Sequence, residues 1–384
     1  SETDANGEGL FQYAVPTDYV CLHSGNMSDP TIGPTQSSQA SDHFDTVLYT
    51  GNGSSSKRTD ISYDSLIPDW VWIKQRSSTQ DHALHDTVRG SNKKLESNNS
   101  DAEVSGSGFG TDGLGGASNN GTTELRIFTA SLEYNASSAT YVAWGWKAGT
   151  AFSNDASATG VGTLDSTGSV NQAAGFAIIS YTGTIQTGET VAHGLGGVPE
   201  LIIAKNRDSA ANWVVFTKDL TTDRTLYLNL TNGQNNSGTT WGNHTSTVFG
   251  VDDDPQSNAN GDATIAYLFR SIEGYSKVSK YKGNGSTDGT FVYTGFRPAW
   301  LLIKNITDVT HWAIWDTKRN TYNVSTTALY PSSTDADQTG TALYVDFLSN
   351  GFKWRASHNS VNGSNDEFIY LAFAEAPFKF ANAR

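Results

Sequence analysis

One stretch occurs three times in this chain of 384 residues and constrains the fold more than any other feature. Each copy has a Tyr-x-Gly turn, residues of alternating polarity, a proline that begins an apolar run ending in lysine, and an aromatic ring eight residues later. The copies begin at Tyr49, Tyr181 and Tyr281. The apolar runs are residues 68–74, 199–205 and 298–304, and the rings are His82, Trp213 and Trp312. Fixed spacing among variable loops predicts a repeated structural unit.

The composition is typical of short strands joined by many turns. The chain has 38 glycines and 17% charged residues, whereas an average globular protein has about 25% charged residues. The 25 basic and 39 acidic residues give a net charge of −14, which disfavours nucleic-acid partners and anionic membranes. No apolar run approaches the ~20 residues of a membrane span, so we predict no membrane insertion. Cys21 is the single cysteine, which excludes an intramolecular disulfide.

The strand pattern predicts an all-β fold made of three serial antiparallel β-sandwich repeats of about 100 residues, of the jelly-roll or concanavalin-like kind. Turn residues recur about every 8–12 positions, as they do in sandwiches. A propeller is the competing fold, but its blades have only about 40–45 residues. Apolar strands that begin at Thr140, Ala263 and Glu367 close the three units. We expect each closing strand to pair with the first strand of its unit.

The predicted boundaries follow these repeats. The three repeats are residues 44–149, 175–274 and 275–384. Residues 35–43 and 150–174 are predicted linkers, and residues 1–34 are predicted to be remnant or terminal strands of an upstream β-domain. Small polar residues fill 150–174, which predicts a flexible connection. Gly274 leads directly into Tyr275, so the second and third repeats are expected to abut.

Several motifs extend beyond the shared stretch. They are YTGNG (49–53), PDWVWIK (68–74), YVAWGWKAG (141–149), VAHGLGGVPELIIAKNRD (191–208), DGTFVYTGFRPAWLLIK (288–304) and YLAFAEAPFKFANAR (370–384). In this order they resemble a repeat of large tail-fibre-like proteins of marine bacteriophages, including phages of cyanobacteria and of SAR11-type hosts. The resemblance covers residues 44–384. In that family the repeat commonly follows a SPRY-like, lectin-type domain, and residues 9–32 resemble the end of such a domain.

The resemblance implies a structural protein of the virion surface, in a tail fibre, appendage or surface fibre. Other virion proteins are the implied partners, and a trimer is the implied homo-oligomer. Variable loops on constant strands are how a scaffold presents contacts, so we expect adhesion to a host-surface glycan. A capsule depolymerase or glycosidase, and a purely architectural spacer or capsid decoration protein, stay open as alternatives. The resemblance supplies no catalytic residues.

Three residues are candidates for glycan binding. Sugar sites combine an aromatic face with amides that bind hydroxyl groups. Trp241 and Asn243 lie in the polar loop Trp-Gly-Asn-His, and Trp354 lies beside another polar loop. Seven other tryptophans in strands are predicted to be core residues. They are Trp70, Trp72, Trp144, Trp146, Trp213, Trp300 and Trp312.

Two groups of residues suggest metal or catalytic chemistry. The consecutive Asp252, Asp253 and Asp254 offer oxygen ligands of the kind that calcium takes, and a solvated turn is the alternative. Calcium is the only cofactor that the sequence suggests. His82, His85 and Asp86 are close in sequence, but His85 and Asp86 point to opposite faces of a strand, which favours an Asp86–Arg89 pair. No strand carries the paired carboxylates of a glycosidase, so we predict no enzyme.

Overall fold

The computed structural model describes the chain apart from residues 1, 17–18, 20, 22–30, 34–36, 57, 107–122, 222, 236–237, 341 and 376–384. The described residues form an all-β fold with several antiparallel sheets, which confirms the predicted fold class at that level. Helical structure in this part is limited to single turns. They are a 3-10 turn (Ala40–Asp42), α1 (Ala156–Thr159), α2 (Pro255–Asn258) and α3 (Asn359–Asn362). No described helix has the length and apolarity that crossing a membrane requires.

Residues 44–149, which we call segment I, contain eight strands in the described part of the chain, to which all strand counts below also refer. They are β1 (Phe44–Thr50), β2 (Arg58–Ser62), β3 (Trp70–Gln75), β4 (Ala83–Asp86), β5 (Lys93–Lys94), β6 (Val104–Ser105), β7 (Glu124–Ile127) and β8 (Thr140–Trp146). The main sheet has the order β1-β8-β3-β4, while β2 pairs with β7 and β5 pairs with β6.

Residues 150–274, segment II, contain nine strands. They are β9 (Thr150–Asn154), β10 (Ser166–Asn171), β11 (Phe176–Thr182), β12 (Glu189–Ala192), β13 (Leu201–Asn206), β14 (Val214–Thr217), β15 (Leu226–Tyr227), β16 (Val248–Val251) and β17 (Ala263–Phe269). The main sheet has the order β15-β14-β13-β17-β11-β10-β9, and β12 pairs with β16.

Residues 275–375, segment III, contain nine strands. They are β18 (Ser276–Lys282), β19 (Phe291–Tyr293), β20 (Pro298–Asn305), β21 (Ala313–Asp316), β22 (Thr327–Ala328), β23 (Gln338–Thr339), β24 (Val345–Leu348), β25 (Gly351–Trp354) and β26 (Glu367–Ala374). The main sheet has the order β18-β26-β20-β21, and a smaller sheet has the order β19-β25-β24.

Four strands in each main sheet share one order; their first strands are β1, β11 and β18, and their closing strands are β8, β17 and β26. In each, the closing strand lies between the first strand and the proline-led strand, and the next strand in the chain pairs with the outer side of the latter. The register also agrees: Trp72 lies opposite Trp144, and Leu302 lies opposite Leu371. The first and closing strands pair in every segment, as the sequence predicts.

The composition-based prediction of a linker at residues 150–174 is corrected by the structure. β9 and β10 extend the main sheet of segment II, and Asp155 caps α1 by accepting a hydrogen bond from the amide of Ala158 at 3.0 Å. Small residues fit in β10 because its backbone lies close to that of β11. A Cβ at Gly168 would lie 2.1 Å from the carbonyl oxygen of Ile178. The predicted linker 35–43 likewise includes Ala40, which is buried.

Residues 1–34 lie only in part within the described residues. There Glu2 and Phe11 form an isolated bridge, and Ile32 is buried. The assignment of this region to an upstream β-domain stays a prediction.

The proline-led strands are buried on both faces because each main sheet lies between two cores. In β3, Trp70 and Trp72 face a core that all three segments share, whereas Val71 and Ile73 face a core of segment I alone. This alternation follows from the two-residue period of a strand. β13 and β20 divide their side chains in the same way.

Aromatic rings join the segments in the shared core. Trp70 of segment I stacks on Tyr267 of segment II, with ring centroids 4.4 Å apart. Trp146 meets Trp300 of segment III at 5.5 Å. Segments II and III meet through Phe269 and Phe373 at 6.1 Å. Every segment therefore contacts the other two, and the predicted core tryptophans are buried.

An aromatic N–H of each segment donates to a main-chain carbonyl of another. Trp213 donates to Glu96 at 2.8 Å, and Trp312 donates to Tyr227 at 2.8 Å. His82 completes the set. Its Nδ1 accepts from the indole of Trp72, so we assign the proton to Nε2, which lies 3.0 Å from the carbonyl oxygen of Tyr330. Through these donors, segment II contacts segment I, segment III contacts segment II, and segment I contacts segment III.

Two main-chain hydrogen bonds accompany each of these contacts. Ala211, Thr310 and Gln80 donate to the carbonyl oxygens of Ser100, Thr231 and Thr334, respectively. The other three bonds run from the amides of Glu103, Gln234 and Asp337 to the carbonyl oxygens of Arg207, Ile306 and Arg76, respectively. All six distances lie between 2.8 and 3.0 Å. The same geometry therefore occurs at all three interfaces.

Candidate functional site

A cavity of about 550 Å³ opens on segment II beside Trp241. Its wall includes two of the predicted glycan-binding residues, Trp241 and Asn243, together with His244 and Arg224. The volume lies in the range of about 300–1,000 Å³ that is usual for small-molecule sites. The loop after β14 and the loop before β16 therefore form a concave site.

The indole of Trp241 is half-buried and held in a fixed orientation. Its Nε1–H donates to the hydroxyl of Thr225 at 3.1 Å, and its backbone pairs with Val251. The ring lies 6.2 Å from that of Phe216, edge to face. Since its polar atom is already bonded, the exposed part of this side chain offers apolar ring surface.

His244 is an uncharged part of the same wall at neutral pH. Burial, and to a smaller extent the neighbouring His193, lower its pKa to about 4. Nδ1 accepts from the amide of Gly250 at 3.3 Å, so we assign the proton to Nε2. The imidazole packs against Phe216 with ring centroids 4.0 Å apart. His244 therefore extends the aromatic wall.

Polar groups complete the cavity. Asn243 and Asp223 are exposed, and Arg224 is half-buried without an ion pair to any described residue. The ammonium of Lys218, in contrast, pairs with Glu200 at 2.7 Å. The cavity thus combines aromatic surface with an amide, a guanidinium and a carboxylate, which can bind ring faces and hydroxyl groups together.

Comparison with known proteins places the chain in a family. The family model described as a domain of unknown function (DUF7483) matches residues 39–377. The chain belongs to the DUF7483 family. No curated protein matches its sequence. A solved structure described as "The Triple Jelly Roll Fold and Turret Assembly in an Archaeal Virus" aligns at 10% identity over 85% of this chain and 80% of that one. Its TM-score of 0.12 is too low to support an argument about fold.

The third predicted glycan residue of the DUF7483 chain lies elsewhere. Trp354 is fully buried in the core of segment III and packs edge to face against Trp315 and Phe352, at 5.3 and 5.7 Å. It offers no ring face to a ligand, so we leave it out of the site. A strand position beside a polar loop does not reveal which face the side chain occupies.

The acidic run Asp252, Asp253 and Asp254 is not brought together as a calcium site. Asp254 caps α2 and accepts from the hydroxyl of Thr240 at 2.6 Å. Asp252 accepts from the amide of Gly188 at 2.5 Å, and Asp253 is exposed. Consecutive residues in a turn point in different directions, which explains why the carboxylates diverge.

Another acidic group does converge in the described part of the chain. Carboxylate oxygens of Asp81, Glu96 and Glu133 lie within 4.8 Å of one another. The ammonium of Lys94 bonds Glu133 at 2.8 Å and also contacts Glu96. A lysine therefore already supplies the positive charge in this group.

The histidines suggested by the sequence have structural partners. Burial and the charge of Arg89 lower the pKa of His85 to about 3, and its ring nitrogens lie 2.9 Å from the Ser91 carbonyl and 3.0 Å from the Tyr134 hydroxyl. Asp86 forms the predicted pair with Arg89 at 2.5 Å and accepts from Tyr267 of segment II at 2.7 Å. These groups stabilise an interface and do not converge on a ligand.

Phe216, Asp223 and Arg224 are among the cavity residues that sequence reasoning missed. Phe216 lies in a strand, where an apolar residue predicts core packing. Arg224 follows a loop with no motif around it. The sequence indicates such residues only through their position in the repeat, because binding residues are often found in variable loops at the end of a constant strand.

Proposed function

We propose that this DUF7483 chain is a structural and adhesive protein of a virion surface that binds a host-surface glycan in the cavity beside Trp241. The virion context rests on the resemblance to phage tail-fibre-like proteins. The observation that carries the adhesive role is the half-buried indole of Trp241, held in place by Thr225, on the wall of a cavity with the exposed amide of Asn243. A sugar ring stacks on such a surface while its hydroxyl groups bond the polar rim.

The proposal includes a finer description of the fold. Segments I, II and III are three copies of one antiparallel β-sandwich repeat, of the jelly-roll or concanavalin-like kind, and they close into a ring. The shared strand order and the three matched hydrogen bonds at each interface support this. An interface between unlike surfaces forms a ring when its rotation closes.

A homotrimer, which the resemblance implies, belongs to the proposal as well. Because each segment already uses its matched interface within one chain, a trimer would form through other surfaces. Other virion proteins are the proposed partners. Analytical ultracentrifugation tests this state: we expect three chains per particle, and a monomer at all concentrations would contradict it.

A binding experiment tests the adhesive role. The full chain is screened on an array of bacterial surface glycans, and the best ligand is titrated with the wild type, Trp241→Ala and Asn243→Ala. Loss of an aromatic anchor costs at least about 2 kcal/mol, so we expect Trp241→Ala to weaken binding roughly thirtyfold. Asn243 is exposed, so its variant should fold normally and weaken binding by a smaller factor.

The controls separate folding from binding. Tyr322→Ala removes a tyrosine that is 85% exposed outside the cavity and should bind as the wild type does. Thermal unfolding of each variant shows whether the fold is intact. No binding by the wild type would contradict the proposal. Release of new reducing ends from the ligand would indicate a glycosidase instead.

A further inference from the structure

Among the residues that the structure describes, strand β19 (Phe291–Tyr293) lies at the edge of the small sheet of segment III and has no strand on its outer side; we call this its open edge. The amide of Thr294 donates to Asn350 at 3.0 Å, and the carbonyl of Thr290 accepts from Trp354 at 3.1 Å. Peptide groups alternate in direction along a strand. Those of Phe291 and Tyr293 therefore point away from β25, toward the open edge.

The side chains of this edge are unusually apolar. Phe291 and Tyr293 are 43% and 60% exposed, whereas Val292 between them is buried. The ammonium of Lys277 lies 5.3 Å from the centre of the Tyr293 ring and donates to its carbonyl oxygen at 3.3 Å. Soluble proteins normally protect such an edge with charges, prolines or a covering segment.

Segment II covers the corresponding edge with its own chain. The amides of Thr163 and Leu164 donate to the carbonyl of Thr190 in β12, at 2.8 and 3.1 Å, and the amide of Thr190 donates to the hydroxyl of Thr163 at 2.8 Å. Leu164 forms a parallel bridge with Val191 and is buried. The short segment of Thr163 and Leu164, with its aliphatic side chain, thus covers this edge through a single parallel bridge.

The two edges correspond residue by residue. The amide of His193 donates to Thr247 just as that of Thr294 donates to Asn350. This aligns Thr190 with Phe291 and Val191 with Val292. In segment II the covering strand comes from residues that precede β11. In segment III, β18 begins at Ser276 and β17 ends at Phe269, so the chain between them is too short to supply such a strand.

We infer that the open edge of β19 is a docking site for an extended peptide strand of another protein, which adds to the sheet as Thr163 and Leu164 add to β12. Main-chain hydrogen bonds give affinity in this mode, and alternate side chains give specificity. The segment that fits has an aliphatic side chain directly after a small hydroxyl residue, as Leu164 follows Thr163. This site is separate from the glycan cavity.

Hydrogen exchange with a defined peptide tests the inference. The probe is an acetylated and amidated peptide of residues 160–168, GVGTLDSTG, added to the full chain at millimolar concentration. We expect at least tenfold slower exchange at the amides of Phe291 and Tyr293. The matched peptide with Leu164→Pro lacks one of the donors and should give no protection.

A variant of the exposed edge provides the second arm. Phe291→Lys keeps the backbone and adds a charge of the kind that protects natural edges, so it should weaken peptide binding roughly tenfold without changing the melting temperature. Tyr322→Lys is the control. Equal protection by the proline peptide, or unchanged binding by Phe291→Lys, would overturn the inference. Protection that grows with protein concentration alone would assign the edge to a second copy, and protection by oligosaccharides would assign it to a glycan; either would overturn it.

Discussion

The indole Nε1–H of Trp213 donates to the carbonyl oxygen of Glu96 at 2.8 Å, across 117 positions of the chain. Trp312 makes the corresponding bond to Tyr227. The last residue of the repeated stretch therefore forms a hydrogen bond from one segment to the next. The aromatic ring eight residues after each lysine is the side chain that reaches the neighbouring segment.

The first prediction concerns these indoles. Trp213→Phe removes the donor to the part-buried carbonyl of Glu96, and losing such a hydrogen bond costs about 0.5–1.5 kcal/mol in addition to the loss of ring area. Trp300→Phe is the matched control, because Trp300 is buried in the same core and its Nε1 has no hydrogen-bond partner in the described structure. Urea unfolding should show a larger loss for Trp213→Phe, and equal losses would contradict the role of the bond.

A second prediction concerns the buried ion pairs. Asp86→Asn leaves Arg89 buried without a full counter-charge, and breaking such a pair costs about 3–5 kcal/mol. Asp60→Asn is the control, since Asp60 pairs with Arg58 at 2.6 Å but is 65% exposed, and exposed pairs contribute about 0–1 kcal/mol. Chemical unfolding measures both. A cost at Asp86 as small as that at Asp60 would show that the pair does not stabilise the interface.

The third prediction concerns the Tyr-x-Gly turn. Tyr181 donates its hydroxyl to Ser257 at 2.5 Å, and a Cβ at Gly183 would lie 2.4 Å from the carbonyl oxygen of Ala259. Gly183→Ala should therefore displace the backbone and cost about 3 kcal/mol. Gly188→Ala meets no atom within 4 Å and should cost about 1 kcal/mol through its backbone angle. Thermal unfolding of the two variants measures the difference, and equal costs would contradict the close approach.

The fourth prediction is a loss of stability in acid. Burial lowers the pKa of His85 to about 3 and those of His193 and His244 to about 4. Between pH 4 and about 6.5 the unfolded chain binds more protons than the folded chain, so stability falls as the pH decreases through this range. Denaturant midpoints at pH 7, 5.5 and 4.5 measure the slope. His244→Phe should reduce the slope, and a midpoint that rises on acidification would contradict the prediction.

The sequence predicted the strands of the repeated stretch because their apolar runs are long and evenly spaced. It did not predict the role of the lysines that end them. Lys74 donates to the carbonyl of Gln75 at 2.7 Å, and Lys304 donates to Thr310 at 2.6 Å and to Thr231 of segment II at 2.9 Å. A lysine after an apolar strand predicts an exposed end, whereas these ammonium groups bond main-chain carbonyls inside the protein.

The composition of residues 150–174 does not predict the strands that they form. Serine, threonine and glycine are typical of linkers, but here they form β9 and β10, which pair with each other and, through β10, with β11. Packing against neighbouring strands outweighs the intrinsic preference of such residues, so local composition does not reveal these strands. The shared core is likewise not evident from one strand: the apolar run of β3 predicts burial, but its pattern does not say that one of its faces meets other segments.

The candidate site was predicted in part. Trp241 and Asn243 line one cavity, as their polar loop suggested, whereas Trp354 is buried. Local sequence indicates that an aromatic residue lies near a loop. Whether its ring faces solvent depends on the register of the strand, which the neighbouring strands determine.

Differential scanning calorimetry of the full chain tests most directly whether the three segments form one structure around a common core. Because Trp70, Phe269 and Phe373 belong to that core, we predict one transition, with a calorimetric enthalpy equal to the van't Hoff enthalpy. Two or three separable transitions would contradict the account and would indicate three independent domains in series.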